Sequence, residues 1–207
     1  MTAASALDWP HVFEAGEADS PVLLMLHGTG GDEHDIVPLA TALDPTAGVL
    51  APRGAVSEHG LNRWFRRFGE GRFDVEDVVS RSGDLAGFVE WARGHYRLGD
   101  RRIVAVGFSN GANIALATAL LHPAAVSEVI AFSGMYPLDD RVVASDLTGS
   151  RVLLAGGDSD AMAPLQSAIR VVRVLGERGA DVRHVLRAGS HGIAEGDLVA
   201  AKEWLAA

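Results

Sequence analysis

Ser109 stands in Gly107-Phe108-Ser109-Asn110-Gly111, a G-x-S-x-G pattern that directly follows an apolar, β-branched run and directly precedes an alanine-rich stretch. In that context a serine is held on a sharp strand-to-helix turn with its hydroxyl exposed, and the flanking glycines keep side chains from striking the neighbouring strand and helix. A hydroxyl is a poor nucleophile until a base takes its proton, and the usual base is a neutral imidazole oriented by a carboxylate. On an elbow of this kind the acid and then the histidine follow the nucleophile along the chain. Asp160, in Gly157-Asp158-Ser159-Asp160, and His191, in Gly189-Ser190-His191-Gly192, come in that order, each just past a candidate strand. Asp160 is the better acid than Asp158. It lies beyond the turn, whereas Asp158 sits nearer the strand end, where it suits capping.

Negative charge developing on an acyl oxygen needs preorganised donors, normally two backbone N–H groups. Asn110, at a helix start, supplies one, and Thr29 in the loop His27-Gly28-Thr29-Gly30-Gly31 supplies the other. Read instead as a phosphate cradle, that loop lacks both a G-K-[ST] ending and the G-x-G-x-x-G spacing. His27 directly follows its strand and is expected to shape the loop by hydrogen bonding, and His184, inside a strand pattern, to be structural. Trp64, Phe65, Phe108 and Met162 are candidates to line an apolar acyl or alcohol pocket, with core packing as the alternative. Arg53, Arg63, Arg66 and Arg67 either meet an acidic substrate group at the pocket mouth or pair with Glu70, Asp74, Glu76 and Asp77 in the same segment.

The elements that position these residues follow a strand, turn, helix rhythm. Candidate strands cover residues 22–26, 48–51, 102–107, 126–132, 151–155 and 182–186, and candidate helices cover 33–43, 83–96, 110–121, 164–178 and 196–205. Such alternation implies right-handed crossovers and a mostly parallel sheet covered by helices on both faces, with ligands outside the carboxyl ends of the strands. Residues 53–81 carry little periodicity, and a loop that long in a compact domain is usually functional.

At 207 residues, 48% hydrophobic and 22% charged, the chain is expected to form one α/β domain over residues 1–207, and no apolar run reaches the length of a membrane span. Its first ten residues contain no basic residue and no apolar core of signal-peptide length, so a cytoplasmic location is expected. The absence of cysteine excludes disulfides, thiolate metal sites and cysteine nucleophiles. A net charge of −9 disfavours nucleic acid and anionic membranes as partners. Neither a clustered metal-ligand pattern nor a cofactor motif is present, so no cofactor is expected. Aromatic residues of the long segment offer either a homodimer surface or a cover for the site.

The glycine loop, Gly107-Phe108-Ser109-Asn110-Gly111-Ala112-Asn113, Asp160 with Pro164, and Ser190-His191 together resemble the phospholipase/carboxylesterase group of small α/β hydrolases. Leu26-His27-Gly28-Thr29-Gly30-Gly31-Asp32-Glu33 and Arg63-Trp64-Phe65-Arg66-Arg67 are similar, more narrowly, to bacterial carboxylesterases and hydroquinone-associated hydrolases. The resemblance implies a single α/β-hydrolase domain without a large lid and a metal-free serine hydrolase acting on small carboxylic esters. Many acyl-protein thioesterases of the wider group have glutamine after the nucleophile and His-Gly before the acid loop, where this chain has Asn110 and Gly156-Gly157. A thioesterase or lysophospholipase-type activity on the same residues is the alternative chemistry, and an inert scaffold that only binds is the alternative class. A haloalkane or epoxide-type hydrolase would instead place an aspartate on the elbow.

Overall fold

Alternating side chains of one strand serve two different cores, and this alternation organises the protein. In the strand Val22–Leu26 (β2), Val22, Leu24 and Leu26 join one apolar cluster while Leu23 and Met25 join another, and all five are fully buried. A strand buried on both faces reads as continuously apolar, which is why this segment is so visible in the sequence. The computed structural model describes residues 9–207, so residues 1–8, and with them most of the N-terminal stretch read for a targeting signal, lie outside the described part.

In chain order the elements are β1 (His11–Glu14), β2, α1 (Val37–Leu43), β3 (Gly48–Pro52), β4 (Val56–Glu58), β5 (Leu61–Arg63), β6 (Arg67–Gly69), β7 (Arg72–Phe73), α2 (Val75–His95), β8 (Ile103–Phe108), α3 (Asn110–Leu121), β9 (Glu128–Phe132), β10 (Arg151–Gly157), α4 (Leu165–Glu177), β11 (Asp181–Arg187) and α5 (Glu195–Ala206). The main sheet has the order β1-β3-β2-β8-β9-β10-β11, parallel throughout except for β1. Helices α2, α3 and α4 share one apolar cluster with one face of the sheet, and α1 and α5 share the other cluster with the opposite face. Strand order reverses between β2 and β8, and the crevice at such a reversal is where doubly wound sheets bind ligands. The loops after β2 and β8 carry Thr29 and Ser109.

Several expectations are corrected. Residues 53–81 are not an irregular loop: they form two small hairpins, β4 with β5 and β6 with β7, and the first two turns of α2. Helix α2 begins eight residues before the expected start because the Asp74 side chain accepts from the N–H of Asp77 and caps it there. Helix α1 begins later than expected. Asp32 Oδ1 accepts from the N–H groups of His34 and Asp35 and winds residues 33–36 into a turn, after which Pro38 enters the helix within its first turn. Strand β1 leaves little signal in the sequence because it is a short antiparallel edge strand with a half-exposed pattern. Among the described residues no helix is long and apolar enough to cross a membrane.

Candidate active site

Gly107 and Gly111 explain why the elbow has its sequence. A Cβ on Gly107 would lie 2.4 Å from the carbonyl oxygen of Gly111, and one on Gly111 would lie 1.9 Å from the carbonyl oxygen of Leu26 at the end of β2. Between them Ser109 adopts φ 54° and ψ −115°, left-handed backbone that a non-glycine residue enters at a cost of about 1–3 kcal/mol. The turn is held by the Ser109 N–H donating to Phe132 O at 2.9 Å and by the Asn113 N–H donating to Ser109 O at 3.0 Å. Strain of this kind clusters at functional sites, and it lifts the hydroxyl above the sheet edge.

Asp160 and His191 meet across the carboxyl ends of β10 and β11. His191 Nδ1 lies 2.8 Å from Asp160 Oδ2, while Asp160 Oδ1 accepts from the N–H groups of Met162 and Ala163, each at 2.9 Å. Burial pushes the Asp160 carboxyl up, but the Ala163 N–H, the His191 imidazole and the Met162 N–H together outweigh it and hold the group below its ordinary value. An ionised carboxylate can only accept, so Nδ1 carries the proton and Nε2 is the nitrogen free to take one. Asp158 faces elsewhere: its Oδ1 accepts from the Gly189 N–H and the Ser159 hydroxyl and closes the two loops against each other. Ser133, itself at φ 49°, donates to Gly192 O at 3.1 Å beside His191.

The N–H groups of Thr29 and Asn110 have no acceptor among the described residues. The loop carrying Thr29 is clamped by the β4–β5 hairpin and the residues after it. Gly30 N–H donates to Asn62 O, Asn62 Nδ2 to Gly31 O, Trp64 Nε1 to His27 O, and Arg63 Nη1 to Thr29 Oγ1, all between 2.8 and 3.0 Å. The Gly54 N–H donates to His27 Nε2 at 2.9 Å, which leaves Nδ1 as the protonated nitrogen facing Gly28 O at 2.7 Å. Burial pushes the His27 imidazole below its ordinary value and favours this neutral form.

Ser109, Asn110, Thr29, Arg63, Met135 and Met162 border a recess of about 30 Å³, which adjoins a groove of about 810 Å³ through shared Gly71, Phe73 and Met135. Of the residues expected to touch substrate, Met162 borders this recess, and Phe108 lays its ring 5.1 Å from the His191 ring. Trp64 and Phe65 do not border it. They are fully buried, Phe65 packs against Phe73, and the Trp64 N–H is spent on Asn110 Oδ1 at 2.8 Å, so both build the wall behind the site. Arg53 is also displaced: it forms a two-point ion pair with Glu33 at 2.5 and 2.6 Å and borders a separate cavity of about 430 Å³. Arg66 pairs with Asp74 and Asp77, and Arg67 with Glu58 and Glu70.

Sequence reasoning missed the side chains of Asn110 and Asn113, which accept from the N–H groups of Trp64 and Met135 and fasten two loops to the helix behind Ser109. It also missed Arg187, which binds the loop around His191. The only sequence signal is asparagine on the buried side of an otherwise alanine-rich helix.

A model of the phospholipase/carboxylesterase family matches residues 75–207. The Bacillus subtilis hydrolase MhqD is 34% identical over 194 residues, covering 94% of this chain and 96% of that one. The crystal structure of the Bacillus cereus carboxylesterase superposes with a TM-score of 0.91 at 37% identity over 98% of this chain and 95% of that one. The structure of YahD with malic acid superposes with a TM-score of 0.89 at 32% identity over 96% of this chain and 98% of that one. With the elbow, the crossovers and these likenesses in agreement, the chain belongs to the phospholipase/carboxylesterase family of α/β hydrolases.

Proposed function

We propose that the protein is a serine carboxylesterase that cleaves small carboxylic esters through an acyl-enzyme on Ser109. The observation that carries this reading is the 2.8 Å hydrogen bond between Asp160 and His191 Nδ1, which leaves Nε2 as the nitrogen able to take a proton, with the His191 ring 5.1 Å from that of Phe108, the residue before Ser109. In the proposed reaction Nε2 of His191 takes the Ser109 proton as Oγ attacks the ester carbonyl, and the new imidazolium is stabilised by the Asp160 carboxylate. The N–H groups of Thr29 and Asn110 stabilise the oxyanion, Asn110 with the added field of a helix N-terminus. The imidazolium then protonates the leaving alkoxide. Water, deprotonated by the same nitrogen, attacks the acyl-enzyme, and the imidazolium returns that proton to Ser109 Oγ as the acyl–oxygen bond breaks and the acid leaves.

The test is intact-mass labelling with a fluorophosphonate. A single rapid addition on the wild type, none on Ser109→Ala and much slower addition on His191→Ala is expected. A folded wild type that stays unlabelled overturns the reading.

A further inference from the structure

Arg63 is the one buried arginine among the described residues, and it borders the same recess as Ser109. Its Nη1 donates to Thr29 Oγ1 at 2.8 Å, and its Nε lies 3.4 Å from Phe65 O and 3.5 Å from Glu58 Oε2. Nη2 has no partner among the described residues. Glu58 is shared, because the same Oε2 accepts from Arg67 Nε at 3.0 Å. The second partner of Arg67 is Glu70, 3.1 Å away and 63% exposed in its side chain. One carboxylate oxygen therefore serves two guanidinium groups, one of them 97% out of solvent by its side-chain exposure of 3%.

Burial, and then the like charge of Arg67, press the Arg63 guanidinium below its ordinary value, and Glu58 and Glu70 do not restore it. A buried cation that shares its nearest carboxylate with a second guanidinium and keeps one N–H group unpartnered is expensive, and beside a candidate nucleophile that is a functional mark. What would relieve it is an anionic oxygen that accepts from the unpartnered Nη2 beside the Arg67 charge. The recess of about 30 Å³ is small and opens beside the groove of about 810 Å³, which leaves room for the remainder of a small ester.

We propose that Arg63, with Arg67 beside it, receives a carboxylate of the substrate, so that the preferred substrates are small esters carrying a free carboxylate on the acyl or the alcohol part. This rests on the esterase reading above. Glu70, which also borders the recess, then opposes binding and tunes it.

The test compares kcat/KM within two matched pairs on the intact protein: monomethyl succinate against methyl butyrate, and acetoxyacetate against ethyl acetate. The wild type is expected to prefer the anionic member of one pair by about tenfold, and that pair identifies the side that bears the carboxylate. Arg63→Gln is expected to lower this anionic-to-neutral ratio about tenfold, and Glu70→Gln to raise it. Should Arg63→Gln fail to fold, inhibition of wild-type methyl butyrate hydrolysis decides. Competitive inhibition by succinate but not by succinamide, deepened in Glu70→Gln, supports the proposal, and equal or absent inhibition overturns it. Equal turnover of both members of each pair overturns the proposal and leaves the esterase reading standing. Absence of any turnover overturns both.

Discussion

Arg187 Nε donates to Asp197 Oδ2 at 2.8 Å, and Nη2 of the same guanidinium donates to the carbonyls of Ser190 at 3.1 Å and Gly192 at 2.8 Å, on either side of His191. Asp197 Oδ2 also accepts from the Ala194 N–H at the start of α5, so one ion pair joins the last strand, the histidine loop and the last helix. Because Asp197 is buried, Arg187→Gln strands its charge and is expected to cost about 3–5 kcal/mol in denaturant unfolding. Its kcat is expected to fall about tenfold with KM little changed, since a loosened imidazole affects the chemical step. Arg187→Lys, which lacks the planar fork, is expected to recover stability more than kcat. Equal losses in kcat and KM would count against the positioning role.

Asp160→Asn retains the oxygen that accepts from Met162 and Ala163 but loses the charge facing His191 Nδ1. Turnover of neutral esters is expected to drop roughly ten-thousandfold while the melting temperature shifts little. The fluorophosphonate labelling rate should fall in parallel. A drop of less than tenfold would mean that Asp160 does not orient the base.

Gly111→Ala places a methyl 1.9 Å from a main-chain oxygen of β2, a backbone clash that no rotamer relieves. It is expected to cost more than about 4 kcal/mol and to leave the protein insoluble. Gly176→Ala is the control: its Cβ would meet nothing within 4 Å and it lies in α4, so a gain of about 0.5–1 kcal/mol is expected in thermal unfolding.

His27 supplies a pH dependence. Its value lies below the ordinary 6.5, so between the two values the unfolded chain binds more protons than the native one, and stability rises with pH. His122 and His184, both lowered by burial, act with the same sign. Stability is therefore fully present above 6.5 and is expected to decline as pH falls below it, when protonated Nε2 of His27 can no longer accept from Gly54. His27→Gln is expected to lower stability at neutral pH and to flatten this decline in unfolding measured across the range. An unchanged slope would remove His27 from the account.

The long helix and the hairpins before it show where local pattern was insufficient. Val78 and Ser82 face the core from the first turns of α2, but a buried serine breaks the apolar periodicity, and its hydroxyl is satisfied only by Val79 O within the helix. The hairpins of residues 56–73 are two or three residues per strand, too short for an alternation to register. Sequence does not separate pocket from core for Trp64 and Phe65 for a similar reason: an aromatic side chain such as Phe65 looks the same in sequence whether a ligand or Phe73 covers it.

What the sequence determined by itself was the set of strands buried on both faces, the glycine-flanked serine after β8, and the placing of Asp160 and His191 at later strand ends. These are local signals, because steric exclusion at Gly107 and Gly111 and burial along each strand act on neighbouring residues. What only the tertiary structure decided was pairing across distance: Arg53 with Glu33 rather than with an acid of its own segment, Asn110 with the main chain of Trp64, Arg63 with Thr29, and Arg187 with the loop around His191. Each joins segments brought together by the strand crossovers. A guanidinium finds its partners by the geometry of a closed fold, and its position along the chain carries no trace of which carboxylate or carbonyl that will be.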